Sequence, residues 1–478
     1  MPTKYNMIKI KKSFVLLVIM QLCIQNGFAE IKLPEIFSDN MVLQQQSAAK
    51  IWGWATSSTK VKLSTSWDQE VYSFKSDTSG KWSVKVKTPV AGGPYTITIS
   101  DGDEVQIKNV LIGEVWVCTG QSNMELPLRG VRNIVKIKNS IDHIVTAKNS
   151  QIRLFTVGRK QASSPQENCS GSWGEASPET ASKFSAVGYL YAKYLYEVLG
   201  VPVGIIKSAY SGTTIQAWMN EEQIKKYPSL LNKQAGPKGI KCSELYNGMI
   251  HPLMGLTVKG VLWYQGEGNH RGPELYAELL PLMVKDWRKQ WEIGTFPFYF
   301  VQIAPYTYPD KGNAPKMRQE MANCTKTIPN SGIAIMTDAG EEFNIHPMDK
   351  EVVAKRLLYL ALSKTYGVKG FTPSGPIYKN IEVKANKIEV TFDYAEGGLT
   401  TFGKPLINFE ISGADGVYKQ ANAKIVKGTV LVWNDAISNP VGVRYAFKNW
   451  VKGELYNFQG LPVSSFQAVN QIKNTDTK

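Results

Sequence analysis

The chain divides into three zones by how apolar and polar residues alternate. From residue 31 to about 110 they alternate over short segments such as Lys60–Ser64 and Trp82–Lys87, which is typical of a small antiparallel β domain. From about residue 111 to 366, apolar runs alternate with amphipathic segments, which predicts a parallel sheet covered by helices. After that, short β-like segments return. A second β domain is therefore predicted to close the chain.

The middle zone contains apolar runs of strand length separated by helical patterns. The helix predicted over Phe184–Leu199 is stopped by Gly200 and Pro202, and another is predicted to begin near Asp349. The predicted strands are Val115–Cys118, Ile152–Val157, Val203–Lys207, Val258–Tyr264, Phe298–Ile303 and Ile333–Met336.

The first 29 residues have the composition of a secretory signal peptide. Lysines from Lys4 to Lys12 precede the apolar run Phe14–Ile24, and Gly27–Ala29 offers small residues for cleavage. The mature protein is therefore expected to be secreted or periplasmic. No run reaches the roughly 20 apolar residues that a membrane span needs. The predicted organisation is a signal peptide (1–29), an N-terminal β domain (30–110), a catalytic domain (111–366) and a C-terminal β-sandwich-like domain (367–478).

Charge and cysteine content narrow the classes of partner. The formal net charge is +15, but the basic residues are scattered, so a nucleic-acid partner is not expected. A basic balance suits an anionic sugar substrate. The cysteines after the leader have no C-x-x-C spacing, which excludes the common zinc and redox motifs and leaves their pairing open.

A serine follows the first predicted strand of the middle zone. The run ending at Cys118 leads into Gly120–Met124, which contains Ser122. A serine on a tight turn at a strand end can act as a nucleophile, and the free N–H groups of the next helix can stabilise an oxyanion. The alternative is a capping box, in which Ser122 and Glu125 only satisfy helix N–H groups. Both interpretations remain open from these residues alone.

A histidine with the surroundings of a general base follows the last predicted strand of this zone. Of four histidines, His346 lies in an acid-rich loop between a strand and a helix. Glu341 or Asp338 could orient its ring, and Glu341 is preferred because an acid in a loop reaches more easily than one at a strand end. A backbone carbonyl could serve instead, making a dyad.

Several segments together resemble the conserved blocks of sialate O-acetylesterases, a family of the SGNH-hydrolase superfamily related to acetylxylan esterases. They occur in order over nearly the whole chain after the leader, which makes the resemblance specific. The segments are Phe37–Gln44, Gly120–Met124, Phe184–Val187, Tyr246–Leu253, Trp263–Asn269, Ile345–Pro347 and Leu455–Pro462.

The resemblance implies a fold and a mechanism. The fold would be an SGNH-hydrolase-like three-layer α/β/α domain with a parallel sheet, flanked by N- and C-terminal β domains. Ser122 would attack the acetyl carbonyl, and His346 would accept its proton and pass it to the departing sugar hydroxyl. The resemblance implies no metal and no cofactor.

The resemblance also implies an oxyanion hole. Its donors would be the N–H groups of Ser122 and Gly212 and a side-chain amide, from Gln265 or Asn269. Trp218 has two interpretations, because an aromatic residue near the site can stack on a sugar ring but is equally typical of a core.

Three positions depart from the family pattern. The superfamily commonly has an acid three residues before the histidine, where this chain has Phe343, and relatives have an aspartate where it has Asn344. Ser211 stands where relatives often have a second glycine. These departures put the third member of the triad and the fine geometry of the oxyanion hole in question.

The predicted function is that of a sialate O-acetylesterase, acting on an O-acetylated sugar through an acetyl-enzyme. An acetylxylan esterase is the first alternative, since the basic charge also suits a glucuronic-acid-bearing xylan. The second is a carbohydrate-binding protein with a decayed catalytic centre. The missing acid supports this second alternative, whereas the presence of Ser122 and His346 opposes it.

Overall fold

The computed structural model describes residues 31–231, 233–310 and 312–470. The predicted signal peptide, 1–29, lies outside the described residues. The strands before the middle zone and at its start are β1 (Val42–Gln44), β2 (Ala48–Trp54), β3 (Lys60–Thr65), β4 (Val71–Lys75), β5 (Lys81–Lys87), β6 (Gly92–Ser100) and β7 (Glu104–Gly120). They are followed by β8 (Asn149–Thr156), β9 (Trp173–Ala176), β10 (Val203–Ala209), β11 (Gly260–Tyr264), β12 (Phe298–Val301) and β13 (Ser331–Ala334).

Helices alternate with the strands of this middle zone. They are α1 (Ser122–Glu125), α2 (Ser140–Val145), α3 (Pro178–Lys183), α4 (Ala186–Leu199), α5 (Glu221–Ile224), α6 (Pro273–Trp291), α7 (Ala314–Thr327) and α8 (Lys350–Lys364). Gly200 caps α4 in the left-handed conformation, and the Asp349 side chain accepts from Val352 N at the start of α8. The predicted positions of both helices are confirmed.

The central sheet has the strand order β13-β12-β11-β7-β10-β8-β9. All neighbours pair in parallel except β8 and β9, which are antiparallel. Successive residues of β7 face opposite sides: Val117 lies in a core with α6 and α7, whereas Trp116 and Cys118 lie in another with α4 and α8. Helices therefore cover both faces of the sheet, and the predicted three-layer α/β/α architecture is confirmed.

Strand β7 also belongs to the N-terminal β structure. Its first part pairs with β6 in antiparallel fashion and with β1 in parallel, whereas residues 114–120 pair with β10 and β11. One strand thus runs from the N-terminal sheet to the point where the turn to Ser122 begins. The predicted division at 110/111 falls inside this strand, and the domain boundaries remain a prediction.

The C-terminal zone forms two antiparallel four-stranded sheets around one apolar core. The segment from Ile381 to Phe392, which shows a single β pattern in the sequence, is a hairpin that turns at Ala385. The strands are β14 (Ile377–Lys384), β15 (Lys387–Asp393), β16 (Leu399–Thr400), β17 (Phe409–Ser412), β18 (Lys419–Gln420), β19 (Asn422–Val426), β20 (Thr429–Trp433), β21 (Gly442–Tyr445), β22 (Tyr456–Asn457) and β23 (Phe466–Val469).

The cysteines that the structure describes are Cys118, Cys169, Cys242 and Cys324, and all four are free thiols. Cys118 is fully buried in β7, as its apolar setting predicts. In the described part of the chain, no helix combines the length and apolar character that crossing a membrane requires.

Candidate active site

A glycine at the end of β7 sets the turn that presents Ser122. Gly120 has φ +134°, and a Cβ there would lie 2.2 Å from the Tyr264 carbonyl oxygen of the neighbouring strand. Only glycine fits this close approach. Ser122 then begins α1, whereas the N-cap is Gln121, and Gln121 makes no side-chain capping bond. The capping-box interpretation of Ser122 is therefore wrong.

The Ser122 side chain faces His346 across the top of the sheet. The distance between Ser122 Oγ and His346 Nε2 is 2.9 Å, although the two residues are 224 positions apart. Ser122 is 8% exposed. This is the hydrogen bond that lets a histidine accept the proton of a serine nucleophile.

The environment of His346 keeps its ring neutral. Burial, which is the larger cause, and the nearby Lys350 ammonium together lower the pKa of His346 to about 4. At neutral pH the imidazole is therefore unprotonated and can accept the Ser122 proton.

Neither predicted acid orients the His346 ring. Asp338 is held by Arg356, whose two terminal nitrogens each donate to it at 2.8 Å. Glu341 accepts from Asn344 Nδ2 at 2.9 Å and from Met348 N at 2.7 Å, and it makes no hydrogen bond to His346. Both carboxylates are committed to other donors, so the expected contact with the ring is not formed.

The backbone N–H groups of Ser122 and Gly212, both predicted oxyanion donors, have no acceptor among the described residues. Gly212 has φ +74° in the turn after β10, a conformation that favours glycine. The loop that contains it packs on Gly268, where a Cβ would lie 2.7 Å from the Thr213 carbonyl oxygen. The two loops that carry the predicted oxyanion donors are thus in contact.

The two candidate amides differ in how their N–H groups are used. Gln265 is fully buried, and its Nε2 lies 3.0 Å from Gln121 Oε1, 3.2 Å from Thr213 O and 2.8 Å from Asn269 Oδ1. Its donors are therefore occupied. Asn269 Nδ2 donates to Gln216 Oε1 at 3.0 Å, and its second N–H has no acceptor in the described part of the chain. Of the two, Asn269 is the one with a donor to offer.

A buried charged network lies behind the Ser122–His346 pair. Asn123 Nδ2 donates to Glu267 Oε1 at 2.6 Å and to Ile345 O at 3.1 Å, while its Oδ1 accepts from Lys350 Nζ at 2.5 Å. Burial raises the pKa of the Glu267 carboxyl and lowers that of Lys350 to about 7. The network joins the nucleophile helix, the loop after β11 and the histidine loop.

Sequence reasoning missed the Lys350 side of this network. The available signal was electrostatic: a lysine in the first turn of a helix opposes the helix dipole, and such a placement calls for a specific partner. Lys350 is the first residue of α8 and is buried, and its partner is Asn123.

Ser211, at the position where relatives often have a second glycine, anchors the loop that contains Gly212. Its N and Oγ both donate to Glu125 Oε2, at 2.8 and 2.6 Å. Arg159 Nε donates to the other oxygen of Glu125 at 2.7 Å and its guanidinium lies over the Tyr210 ring. The serine thus ties the Gly212 loop to the helix that begins at Ser122.

Trp218 does not offer a face to a sugar. It is fully buried, and its Nε1 donates to Thr213 Oγ1 at 3.0 Å. The substrate-stacking interpretation is therefore wrong and the core interpretation is right, because the ring packs at a right angle against Trp263.

Within the described residues, no group of three or more His, Cys, Asp and Glu side chains could hold a metal ion.

Comparison with known proteins agrees with this geometry. Residues 112–347 match the family model described as "Carbohydrate esterase, sialic acid-specific acetylesterase". The sialate O-acetylesterase of Rattus norvegicus is 30% identical over 75% of this chain and 78% of its own length. That of Mus musculus is 28% identical over 91% of this chain and 93% of its own length.

This chain belongs to the sialate O-acetylesterase family. The resemblance inferred from the sequence blocks is thereby confirmed, and so is the assignment to an esterase family. The function predicted from the sequence, that of a sialate O-acetylesterase, is the one for which these relatives are named.

A solved structure of the same kind covers almost the entire described fold. A carbohydrate acetylesterase from Xanthomonas citri has a TM-score of 0.84 and 33% identity, covering 92% of this chain and 99% of that protein. The similarity extends beyond the central sheet to the flanking β structure, so this family member has the same overall architecture as that enzyme.

Proposed function

We propose that this protein removes O-acetyl groups from sialic acid by serine-esterase catalysis. The observation that carries the proposal is the 2.9 Å contact between Ser122 Oγ and His346 Nε2 at the carboxyl end of the central strand. Family membership supplies the substrate class, since the relatives are named sialate O-acetylesterases.

The proposed reaction proceeds through an acetyl-enzyme. Ser122 Oγ attacks the acetyl carbonyl while its proton passes to His346 Nε2. The tetrahedral intermediate collapses, the bond to the sugar oxygen breaks, and His346 returns the proton to that oxygen. A water molecule, deprotonated by His346, then attacks the acetyl-enzyme and releases acetate and free Ser122.

The oxyanion of each tetrahedral intermediate is proposed to accept from Ser122 N–H, Gly212 N–H and Asn269 Nδ2. The two backbone groups and one N–H of Asn269 lack acceptors in the described protein, which leaves them available. A single donor of this kind is typically worth about 3 kcal/mol of the barrier. Gln265 is proposed to hold the loops together rather than to contact the substrate.

The catalytic groups are proposed to act as a Ser–His dyad. Glu341 serves the dyad by ordering the histidine loop through Asn344 and Met348. The hydrogen-bond distance between Ser122 Oγ and His346 Nε2 opposes the alternative of a decayed binding protein, because it is the contact through which a histidine takes the proton of a serine nucleophile.

The proposed place of action is outside the cytoplasm, either secreted or periplasmic. This rests on the signal-peptide composition of residues 1–29. The domain organisation proposed with it keeps the boundaries 30–110, 111–366 and 367–478.

Acetate release tests the proposal. Acetate release is measured for three proteins, namely the mature protein and its variants Ser122→Ala and His346→Ala. Each is assayed on 9-O-acetylated sialic acid and on acetylated xylan. We expect release from the sialate and a loss of roughly 10⁴-fold or more in each variant, because the dyad acts as a unit. Circular dichroism should show that both variants are folded.

A matched control is Ser57→Ala, an exposed serine of the N-terminal β structure, which should keep full activity. Release from xylan alone would replace the substrate by that of an acetylxylan esterase. Full activity in Ser122→Ala would remove the nucleophile, and glycan binding without release would favour the binding protein.

A further inference from the structure

A basic groove is lined by the loop that carries His346 and by the segment from Arg129 to Lys136. Its volume is about 480 Å³, within the range of about 300 to 1,000 Å³ that small-molecule sites occupy. The lining residues used below are Arg129, Arg132, Ile134, Lys136, Asn344 and Met348.

Each wall of the basic groove lies close in the chain to one of the two catalytic residues. One wall is the segment from Arg129 to Lys136, which follows the helix that begins at Ser122. The other is the histidine loop, in which Asn344 Oδ1 accepts from His346 N at 3.0 Å. Through Asn344, the groove is thus hydrogen-bonded to the residue that faces Ser122.

The cations of the groove are not neutralised by the protein. Arg129, Arg132 and Lys136 are exposed, and none of them forms an ion pair within the described residues. The nearby acids have other partners: Glu341 accepts from the histidine loop and Asp349 pairs with Lys138. Three positive charges with no lining carboxylate attract an anion, and guanidinium groups suit a carboxylate in particular.

Apolar side chains lie next to these charges. Ile134 is 61% exposed and Met348 is 40% exposed, both in the groove. Phe343, adjacent to Asn344, is 82% exposed. A large apolar surface held in water at a site's edge is typical of a ligand contact. The combination fits a sugar that carries both a carboxylate and an apolar substituent or ring face.

We propose that the basic groove is the subsite for the carboxylate of the acidic sugar whose acetyl ester is cleaved at Ser122. Arg129 and Arg132 hold the carboxylate, Lys136 adds attraction, and Phe343 and Met348 contact the apolar part of the sugar. This inference rests on the proposed function and deepens it, because it assigns the preference for a sialic acid over a neutral sugar to named residues.

The test compares 9-O-acetylated N-acetylneuraminic acid with its C1 methyl ester, which lacks the charge. Three proteins are assayed: the full-length mature protein, the groove variant Arg129→Gln/Arg132→Gln, and the control variant Lys62→Gln/Lys85→Gln. The control loses the same charge from exposed strands of the N-terminal β structure. In the groove variant we expect KM for the acid to rise roughly ten-fold or more, as the loss of a charge-assisted hydrogen bond predicts. Its kcat/KM for the methyl ester and for p-nitrophenyl acetate should match that of the control.

A second readout is inhibition of p-nitrophenyl acetate hydrolysis by N-acetylneuraminic acid. Inhibition that weakens only in the groove variant supports the subsite. If the acetylated sialate is not turned over while this inhibition is seen, the proposed function is overturned and the subsite is not. Turnover of the sialate with equal KM for acid and methyl ester in all three proteins overturns the subsite alone. No turnover of the sialate and no inhibition by it overturn both.

Discussion

Lys350 places a positive charge beside the catalytic base inside the protein. Its ammonium is buried, donates to Asn123 Oδ1 and lowers the pKa of His346 in addition to the effect of burial. A base that stays neutral down to about pH 4 can work over a wide acidic range. We therefore regard Lys350 as a positioning residue that acts through His346.

Lys350→Met should move the acidic limb of the pH profile. The neutral ring exists above the pKa of His346, so in the parent protein kcat/KM should fall only as the pH approaches about 4. Removing the ammonium raises that pKa, because the repulsion of the protonated ring is lost while burial remains. The limb should shift to higher pH. Titration of Lys350 itself, with a pKa of about 7, occurs where His346 is already neutral and should not affect this limb.

The measurement is kcat/KM from pH 3.5 to 8 on a neutral acetyl ester. Lys355→Met is the matched control, since Lys355 lies on the same helix but pairs with Glu351 at the surface. An unchanged midpoint in Lys350→Met would show that the buried ammonium does not set the proton affinity of the base.

At the scale of elements, the loop between β13 and α8 positions His346. Within the described residues, no carboxylate forms a hydrogen bond to its ring. Glu341 fixes the loop by accepting from Asn344 and Met348, and the Ile345 carbonyl is held by Asn123. Phe343, at the position where the superfamily has its acid, points to solvent. The loop is thus ordered as an element, and the ring is oriented through it.

Glu341→Gln should lower kcat by about ten-fold, well short of the loss in Ser122→Ala. The amide keeps one acceptor oxygen but cannot accept from both Asn344 and Met348, and one charge-assisted hydrogen bond is worth about 1.5 to 3 kcal/mol. The check is kcat on acetylated sialate together with the pH midpoint, which should not change. A loss as great as that of Ser122→Ala would instead identify Glu341 as the triad acid.

At the scale of the whole molecule, the C-terminal β structure is joined to the esterase layer by buried polar contacts. Arg318 on α7 is fully buried and donates to Ser465 Oγ at 2.9 Å and to the carbonyl oxygens of Ala446 and Lys448 at 3.2 and 2.5 Å. Gln302 Nε2 donates to Ser464 Oγ at 2.7 Å. These contacts make the flanking β structure part of the folded unit.

Arg318→Met should reduce the free energy of unfolding by about 3 kcal/mol or more. The buried carbonyl oxygens lose their donor, and each unsatisfied group costs about 1 to 3 kcal/mol. Urea unfolding measures the change. Lys316→Met on the same helix, where Lys316 forms an i,i+4 pair with Glu320, should change stability by less than about 1 kcal/mol. Equal midpoints for the two variants would contradict this account of the junction.

The amino-acid sequence by itself indicated six strands of the central sheet and the helices α4 and α8, because their apolar periodicity is a local property. It did not indicate α6 or α7. It also pointed to Ser122 and His346, because each follows a strand whose carboxyl end meets the same edge of the sheet.

Only the tertiary structure decided which side chains meet. It separated Glu341 and Asp338 from the ring, buried Trp218, and brought Lys350 to Asn123 across 227 positions. It also paired the first part of β7 with β1 and β6 and its last part with β10 and β11. The physical reason is that a side chain's partners, burial and electrostatic environment come from segments distant in the chain, and the local pattern contains no information about their distance.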